Sequence, residues 1–226
     1  RHSPTGEASA MTHLTAFDQA FEQCPLVAIL RGVEPEEVEE IGEVLVDRGI
    51  ALIEVPLNSP QPFESIARLA RRLSDRAVVG AGTVLTEDDV ARVRDAGGQL
   101  VVSPNTDADV IRATHKAGLV SLPGFVTPSE AFTALAAGAT ALKLFPAEAA
   151  DPRVLSAVRA VLPADLRVLP VGGIDADTMA PWLAAGAAGF GLGSSLYKAG
   201  RTAQDVGQRA EAIVTALKNA RSSQSQ

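Results

Sequence analysis

Short apolar runs recur along this chain of 226 residues, and each run is followed by a stretch with the periodicity of a helix. The runs are four or five residues long and recur about every 20 to 27 residues, a spacing that fits one strand, one helix and two turns. Strands so short and uniformly apolar are typical of a parallel sheet that is covered by helices. The predicted strands are residues 26–30, 51–55, 77–81, 99–102, 119–122, 141–144, 167–171 and 189–192.

The stretches between these runs predict eight helices, several of which begin at Ser, Thr, Asp or Pro and end at Gly. Eight strand-helix units predict one α/β domain, a (β/α)8 TIM barrel, with a doubly wound open sheet as the alternative. We expect a disordered tail over residues 1–12, the barrel over 13–220 with a short lead-in helix over 14–23, and a C-terminal tail over 221–226. The predicted barrel helices are residues 35–48, 61–74, 87–96, 107–117, 128–137, 152–162, 176–185 and 203–220.

Composition narrows the class of partner. The formal net charge of −7 and the lack of a basic block argue against a nucleic acid or a membrane surface, so we expect a small-molecule substrate. One cysteine excludes an internal disulfide, and the sequence lacks an apolar run of membrane-spanning length, so we expect a cytoplasmic protein. Three scattered histidines predict no metal site, and we expect no cofactor.

Lys143 is the most unusual residue, because it lies in the middle of an apolar run of strand length. A desolvated lysine tends to lose its proton and then becomes a nucleophile that forms a Schiff base with a carbonyl. The alternatives are that its ammonium reaches water or pairs with a buried acid. Glu54, at the end of the second predicted strand, can face Lys143 across the barrel, either as its proton-transfer partner or as one half of a structural ion pair.

Two glycine-rich loops follow the last two predicted strands, where such barrels usually bind phosphate. They contain Gly172 and Gly173, and Gly193 and Ser194. Backbone N–H groups of glycines can approach an anion closely, although tight turns use the same residues.

Polar side chains follow the first three predicted strands. Arg31 follows the first and can bind a carboxylate or form an ion pair at the barrel rim, whereas Thr83 and Asn58 offer hydrogen bonds to a substrate.

Seven motifs at successive strand ends resemble those of the 2-dehydro-3-deoxy-phosphogluconate and phosphogalactonate aldolases. The resemblance extends from about residue 25 to residue 218. The motifs are Ile29-Leu-Arg-Gly32, Glu54-Val-Pro-Leu-Asn-Ser-Pro60, Val79-Gly-Ala-Gly-Thr-Val84, Ser103-Pro104, Leu142-Lys-Leu-Phe-Pro-Ala147, Val171-Gly-Gly173 and Gly191-Leu-Gly-Ser194.

This resemblance implies a class I aldolase, commonly homotrimeric, that cleaves a phosphorylated keto-sugar acid to pyruvate and glyceraldehyde 3-phosphate. It implies that Lys143 forms the Schiff base and that Glu54 is the general acid and base. The implied substrate-binding residues are Arg31, Asn58, Thr83, Pro104 and Val171 around the carboxylate and hydroxyl groups, and Gly172, Gly173, Gly193 and Ser194 at the phosphate.

Asn58 and Val171 resemble the phosphogalactonate branch, since the phosphogluconate branch typically has arginine and threonine at these positions. We therefore expect phosphogalactonate as the substrate, with phosphogluconate or both epimers as the alternative. Two other functions stay open: a different phosphate-binding barrel enzyme that does not need Lys143, and a non-catalytic barrel that binds sugar phosphates.

Overall fold

The computed structural model describes the backbone of residues 5–224 and the side chains of residues 13–224. All strands are parallel, and Pro123 divides one barrel strand into two segments, β5 and β6. The segments are β1 (Leu26–Ile29), β2 (Leu52–Pro56), β3 (Val78–Gly82), β4 (Leu100–Val102), β5 (Val120–Leu122), β6 (Gly124–Phe125), β7 (Leu142–Leu144), β8 (Val168–Pro170) and β9 (Phe190–Leu192).

These segments close into a ring of eight strands. One run of hydrogen-bonded neighbours has the order β5-β4-β3-β2-β1-β9, and the other has the order β6-β7-β8. The two runs are continuous through Pro123 at one side, and a parallel bridge between Val171 and Gly191 joins β8 to β9 at the other. The predicted (β/α)8 barrel is therefore confirmed, and the open sheet is not formed.

Helices follow the strands around the outside of the ring. Thr127 and Glu130 form a capping box at the start of α6, and the Thr86 hydroxyl accepts a hydrogen bond at the start of α4. Among the helices described, none is long and apolar enough to cross a membrane. The helices are α1 (Thr5–Gln23), α2 (Val38–Asp47), α3 (Pro62–Leu73), α4 (Glu87–Asp95), α5 (Ala108–Lys116), α6 (Pro128–Ala136), α7 (Pro152–Arg159), α8 (Met179–Ala184) and α9 (Ala203–Gln224).

The structure differs from the sequence-based expectation mainly at the two ends of the chain. Helix α1 begins at Thr5, within the segment expected to be a disordered tail, and residues 1–4 of that tail lie outside the described part. Residues 7–11 include two alanines, a glutamate and a methionine, which favour a helix. Helix α9 continues to Gln224, into the expected C-terminal tail.

Helix α8 is shorter than predicted. The Asp175 carboxylate accepts hydrogen bonds from the backbone N–H groups of Asp177 and Thr178, both at 3.0 Å. This turn competes with helix formation, so the helix begins at Met179 rather than at residue 176.

Helix α1 closes the amino-terminal end of the barrel. Phe17 and Phe21 are buried and belong to the same apolar cluster as inward-facing strand residues such as Val27 and Leu169. The Arg167 guanidinium lies 4.6 Å from the centroid of the Phe21 ring. The lead-in helix thus fills one mouth of the barrel, while the carboxyl ends of the strands surround the other.

Strands β3 and β4 approach each other closely at Gly80. A Cβ atom at Gly80 would lie 1.8 Å from the carbonyl oxygen of Leu100. We expect Gly80→Ala to lower the free energy of unfolding by about 3 kcal/mol, because the backbone must move to accept the methyl group. Urea unfolding followed by circular dichroism measures this change.

Gly193→Ala is the matched control, since its added Cβ would meet no atom within 4 Å. Its free energy of unfolding should change by less than about 1 kcal/mol. Equal losses in the two variants would contradict the close approach at Gly80.

Candidate active site

The alternation of side chains along the strands places one acid and one amine inside the barrel. In β2, Leu52 faces the interior, Ile53 packs against the outer helices, and Glu54 faces inward again. In β7, Lys143 occupies the equivalent inward position between Leu142 and Leu144. Only 2% of Glu54 and 5% of Lys143 is exposed, so both ionisable groups are held within the apolar interior.

The Glu54 carboxylate occupies space that exists because residue 82 is a glycine. A Cβ at Gly82 would lie 1.6 Å from Glu54 Oε2, and this oxygen has no hydrogen-bond partner among the described residues. Burial raises the pKa of Glu54 to about 7, although the charges of Lys143 and Arg31 act in the opposite direction. Glu54 can therefore gain and lose a proton near neutral pH.

Burial also lowers the pKa of the Lys143 ammonium, and the charge of Arg31 acts in the same direction, whereas Glu54 opposes both. Within the described chain, Lys143 forms neither a hydrogen bond nor an ion pair, and its Nζ lies 4.6 Å from the centroid of the Phe145 ring. The structural ion pair considered for Lys143 and Glu54 is thus not formed. The lowered pKa favours the neutral amine, which is the form that attacks a carbonyl carbon.

Arg31 joins the polar side chains that follow the first three strands. Its Nη1 atom donates a hydrogen bond to Asn58 Oδ1 at 2.6 Å and lies 3.5 Å from Thr83 Oγ1. Thr83 has a φ of 55°, a left-handed conformation that is strained for a β-branched residue. The side chains predicted to bind the substrate carboxylate therefore form one connected group, and Arg31 makes no ion pair with a described acid.

A cavity of about 340 Å³ lies at the carboxyl ends of β1, β7, β8 and β9. The two glycine-rich loops form one side of it, and they are joined by a hydrogen bond of 2.7 Å from Ser195 Oγ to the carbonyl oxygen of Ile174. Lys143 and Arg31 also line it, so one space connects the candidate nucleophile to the candidate phosphate site. The residues predicted for the site that line this cavity are Arg31, Lys143, Val171, Gly172, Gly173, Gly193 and Ser194.

The remaining predicted residues do not line the cavity. Asn58 and Thr83 accept hydrogen bonds from Arg31, which does line the cavity. Glu54 lies deeper, within the barrel interior. Pro104 follows β4, and its carbonyl oxygen would lie 2.2 Å from a Cβ at Gly124 of β6. Pro104 is therefore packed against the strand segment that pairs with Lys143.

A larger cavity, of about 740 Å³, lies at the opposite end of the barrel beside α1. It contains none of the residues predicted for the site, and no ionisable group with the environment of Lys143 lines it. The candidate active site is therefore the smaller cavity.

Sequence analysis assigned no role to four residues that contribute to the site. Glu148, Tyr197 and Lys198 line the cavity, and Gly82 makes room for Glu54. A signal was present for Gly82, which lies within the motif of residues 79–84, and Lys198 follows the last motif by four residues. Glu148 follows Lys143 by only five residues, but the sequence does not show that this turn folds back onto Gly172.

A metal site in a protein needs several ligating side chains close together. Among residues 13–224, no group of three or more His, Cys, Asp or Glu residues is arranged to hold a metal ion. The chemistry of this cavity is derived from Lys143, Glu54 and their neighbours.

Comparison with known proteins gives matches over most of the chain. A probable 2-dehydro-3-deoxy-6-phosphogalactonate aldolase from Rhizobium meliloti (strain 1021) is 50% identical over 192 residues, which are 85% of this chain and 91% of the relative. The 2-dehydro-3-deoxy-6-phosphogalactonate aldolase of Escherichia coli (strain K12) is 45% identical over 196 residues, 87% of this chain and 96% of the relative.

A solved structure described as native KDPGal is similar in fold, with a TM-score of 0.87 and 44% sequence identity. The match covers 88% of this chain and 97% of the solved chain. The family model for KDPG and KHG aldolase matches residues 17–213, which include every predicted site residue. The chain therefore belongs to the KDPG and KHG aldolase family.

Proposed function

We propose that this protein is a class I aldolase that cleaves 2-dehydro-3-deoxy-6-phosphogalactonate to pyruvate and D-glyceraldehyde 3-phosphate. The observation that carries the proposal is Lys143, a buried lysine with a lowered pKa that lines a cavity with two glycine-rich loops at its rim. Two relatives that are 45% and 50% identical carry the name of this aldolase, which supports the choice of substrate.

The first half of the reaction forms the Schiff base. Neutral Lys143 attacks the C2 ketone of the substrate, and the C2 oxygen receives one proton from the attacking amine and one from Glu54 before it leaves as water. The product is a protonated imine between Lys143 Nζ and C2. Arg31, which is oriented by Asn58 and Thr83, binds the neighbouring carboxylate through its planar guanidinium.

The second half breaks the carbon-carbon bond. Glu54, now ionised, removes the proton of the C4 hydroxyl directly or through a water molecule, and the C3–C4 electrons move into the imine. Glyceraldehyde 3-phosphate is released, and a pyruvate enamine stays attached to Lys143. Protonation of the enamine at C3 and hydrolysis of the imine release pyruvate and restore the amine.

We assign to Val171 the choice between the two substrates, which differ in the configuration of C4. This residue is buried next to Gly172, where a threonine would offer a hydroxyl to the C4 oxygen of the substrate. A valine offers no hydrogen bond there, so the phosphogluconate epimer gains no added stabilisation. Cleavage of both epimers at different rates is the alternative.

We also propose that the enzyme works in the cytoplasm as a homotrimer, the assembly that the family resemblance implies. Exposed apolar side chains, including Leu85, Val126 and Phe132, provide surface that such an assembly can bury.

Borohydride trapping tests the role of Lys143. With pyruvate present, reduction should leave a pyruvyl group on Lys143 that peptide mass mapping detects, and Lys143→Ala should show neither this adduct nor turnover. Lys116→Ala, which changes an exposed lysine on α5, is the control and should behave as the parent enzyme does. Normal turnover in Lys143→Ala would rule out the mechanism.

The pH dependence of the rate tests Glu54. Glu54 must be protonated in the free enzyme, because its first task is to give a proton to the C2 oxygen; with a pKa of about 7, it is increasingly ionised as the pH rises above neutrality. We expect kcat/KM to fall by about tenfold per pH unit above pH 7. Glu54→Gln should lower kcat by about 10²- to 10⁴-fold and remove this limb of the profile. A limb that persists in Glu54→Gln belongs to another group.

Substitution of Val171 tests the choice of epimer. Val171→Thr should raise the ratio of kcat/KM for phosphogluconate to that for phosphogalactonate by about tenfold, because one hydrogen bond is added for one epimer. Val171→Ala, which shortens the side chain without adding a hydroxyl, should leave this ratio close to that of the parent. The same ratio in all three proteins would show that another residue selects the epimer.

A further inference from the structure

Lys198 lies at the rim of the active-site cavity and has no assigned role. It lines the same cavity as Gly172, Gly173, Gly193 and Ser194. Its side chain is exposed, and it forms no hydrogen bond or ion pair with any described residue. Most other cations of known position are already engaged, so Lys198 is free to bind an anion that enters the cavity.

The backbone holds Lys198 in a defined place. The N–H groups of Leu196 and Tyr197 donate to the Gly193 carbonyl oxygen at 3.0 and 2.9 Å, which forms a tight turn directly after the second glycine-rich loop. The buried Tyr197 donates its hydroxyl hydrogen to Glu37 Oε1 at 2.7 Å. On the other side of Lys198, the Cβ of Ala199 would lie 3.2 Å from a Cβ at Gly32. Lys198 thus projects from a segment that is anchored before and after it.

The groups around the glycine-rich loops do not by themselves balance the charge of a bound phosphate. The Glu148 carboxylate lies against the first loop, because a Cβ at Gly172 would be 2.2 Å from Glu148 Oε2. A substrate phosphate carries a charge of about −1.5 to −2 at neutral pH, so Glu148 repels it. Backbone N–H groups offer only partial charges, and α8 is too short to add an appreciable helix dipole.

The other cationic side chains near the cavity have other partners or another proposed role. Arg31 donates to Asn58 and belongs to the carboxylate-binding group, and Lys143 is the proposed nucleophile. Arg201 donates to the Ser194 carbonyl oxygen at 2.8 Å and lies 3.5 Å from Asp205. Among the described residues that line the cavity, Lys198 is the remaining cation.

We propose that Lys198 binds the phosphate group of the substrate and that its charge offsets the repulsion from Glu148. The proposal rests on the function proposed above and adds a residue that sets the preference for a phosphorylated over an unphosphorylated substrate. In this arrangement the glycine-rich loops provide the shape of the phosphate site, and Lys198 provides its positive charge. Glu148 weakens the binding of anions in general, including the phosphate-bearing product.

Three lysine variants test this role through steady-state kinetics with the phosphorylated substrate. Lys198→Gln should raise KM by about five- to tenfold while kcat stays nearly constant, because a partly exposed charge-assisted hydrogen bond is lost. Lys198→Arg keeps the charge and should restore most of the affinity. Lys218→Gln removes an exposed lysine on α9 and should match the parent enzyme.

Two further readouts separate a charge effect from a change in loop structure. The KM of the parent should rise with ionic strength, and this dependence should be weaker in Lys198→Gln, since salt screens an exposed charge. Inorganic phosphate should inhibit the parent competitively, with a Ki that increases in Lys198→Gln and decreases in Glu148→Gln. A damaged loop would raise the Ki without changing its salt dependence.

Pyruvate trapping on Lys143 in the same proteins keeps the two proposals apart. If Lys198→Gln forms the pyruvyl adduct normally but has the KM, Ki and salt dependence of the parent, the role of Lys198 is wrong and the aldolase mechanism stands. If the parent enzyme forms no adduct, the aldolase mechanism is wrong, and the role given to Lys198 is lost with it. Normal trapping with the expected changes in KM and Ki supports both.

Discussion

The burial of Glu54 and Lys143 in one apolar interior is the constraint on which the site depends. Neither group has a hydrogen-bond or ion-pair partner among the described residues, and burial biases each toward its neutral form, as the proposed nucleophile and proton carrier require. This arrangement costs stability. Because the pKa of Glu54 is raised from 4.5 to about 7 in the fold, this cost is absent below pH 4.5, grows as the pH rises, and reaches its full size above pH 7.

Different parts of the barrel position Glu54 and Lys143 and surround them with polar groups. Gly82 leaves room for the carboxylate, and the period of two along β2 and β7 directs both side chains inward. Arg31, Asn58 and Thr83 form a polar group at one side of the cavity, and the glycine-rich loops lie at another. Binding and bond cleavage are thus divided between rigid strand positions and the loops that follow them, as in other barrels of this architecture.

Much of this organisation could be predicted from the sequence, because strand ends in a barrel converge whatever the helices do. Apolar runs and glycine-terminated helices located all eight strands, and the position of Lys143 within such a run predicted its burial in the barrel interior. What could not be predicted depends on how segments fold back. The Asp175 turn shortens α8, Glu148 reaches the Gly172 loop, and Tyr197 anchors Lys198 through Glu37. The Asp175 turn lies within one loop, and the Glu148 and Tyr197 contacts join segments that are distant in the sequence; none of the three produces a periodic signal.

Helix α1 gives the barrel a single entrance, and this has a kinetic consequence. Phe17 and Phe21 fill the amino-terminal mouth, so every molecule passes through the rim formed by the two glycine-rich loops. In the proposed reaction the three-carbon aldehyde lies nearer that rim than the carbons held by Lys143. It must depart first, before water can reach the enamine, and in the condensation direction pyruvate must enter first. The entrance thus favours the same order of product release that the covalent enamine on Lys143 sets in the proposed reaction.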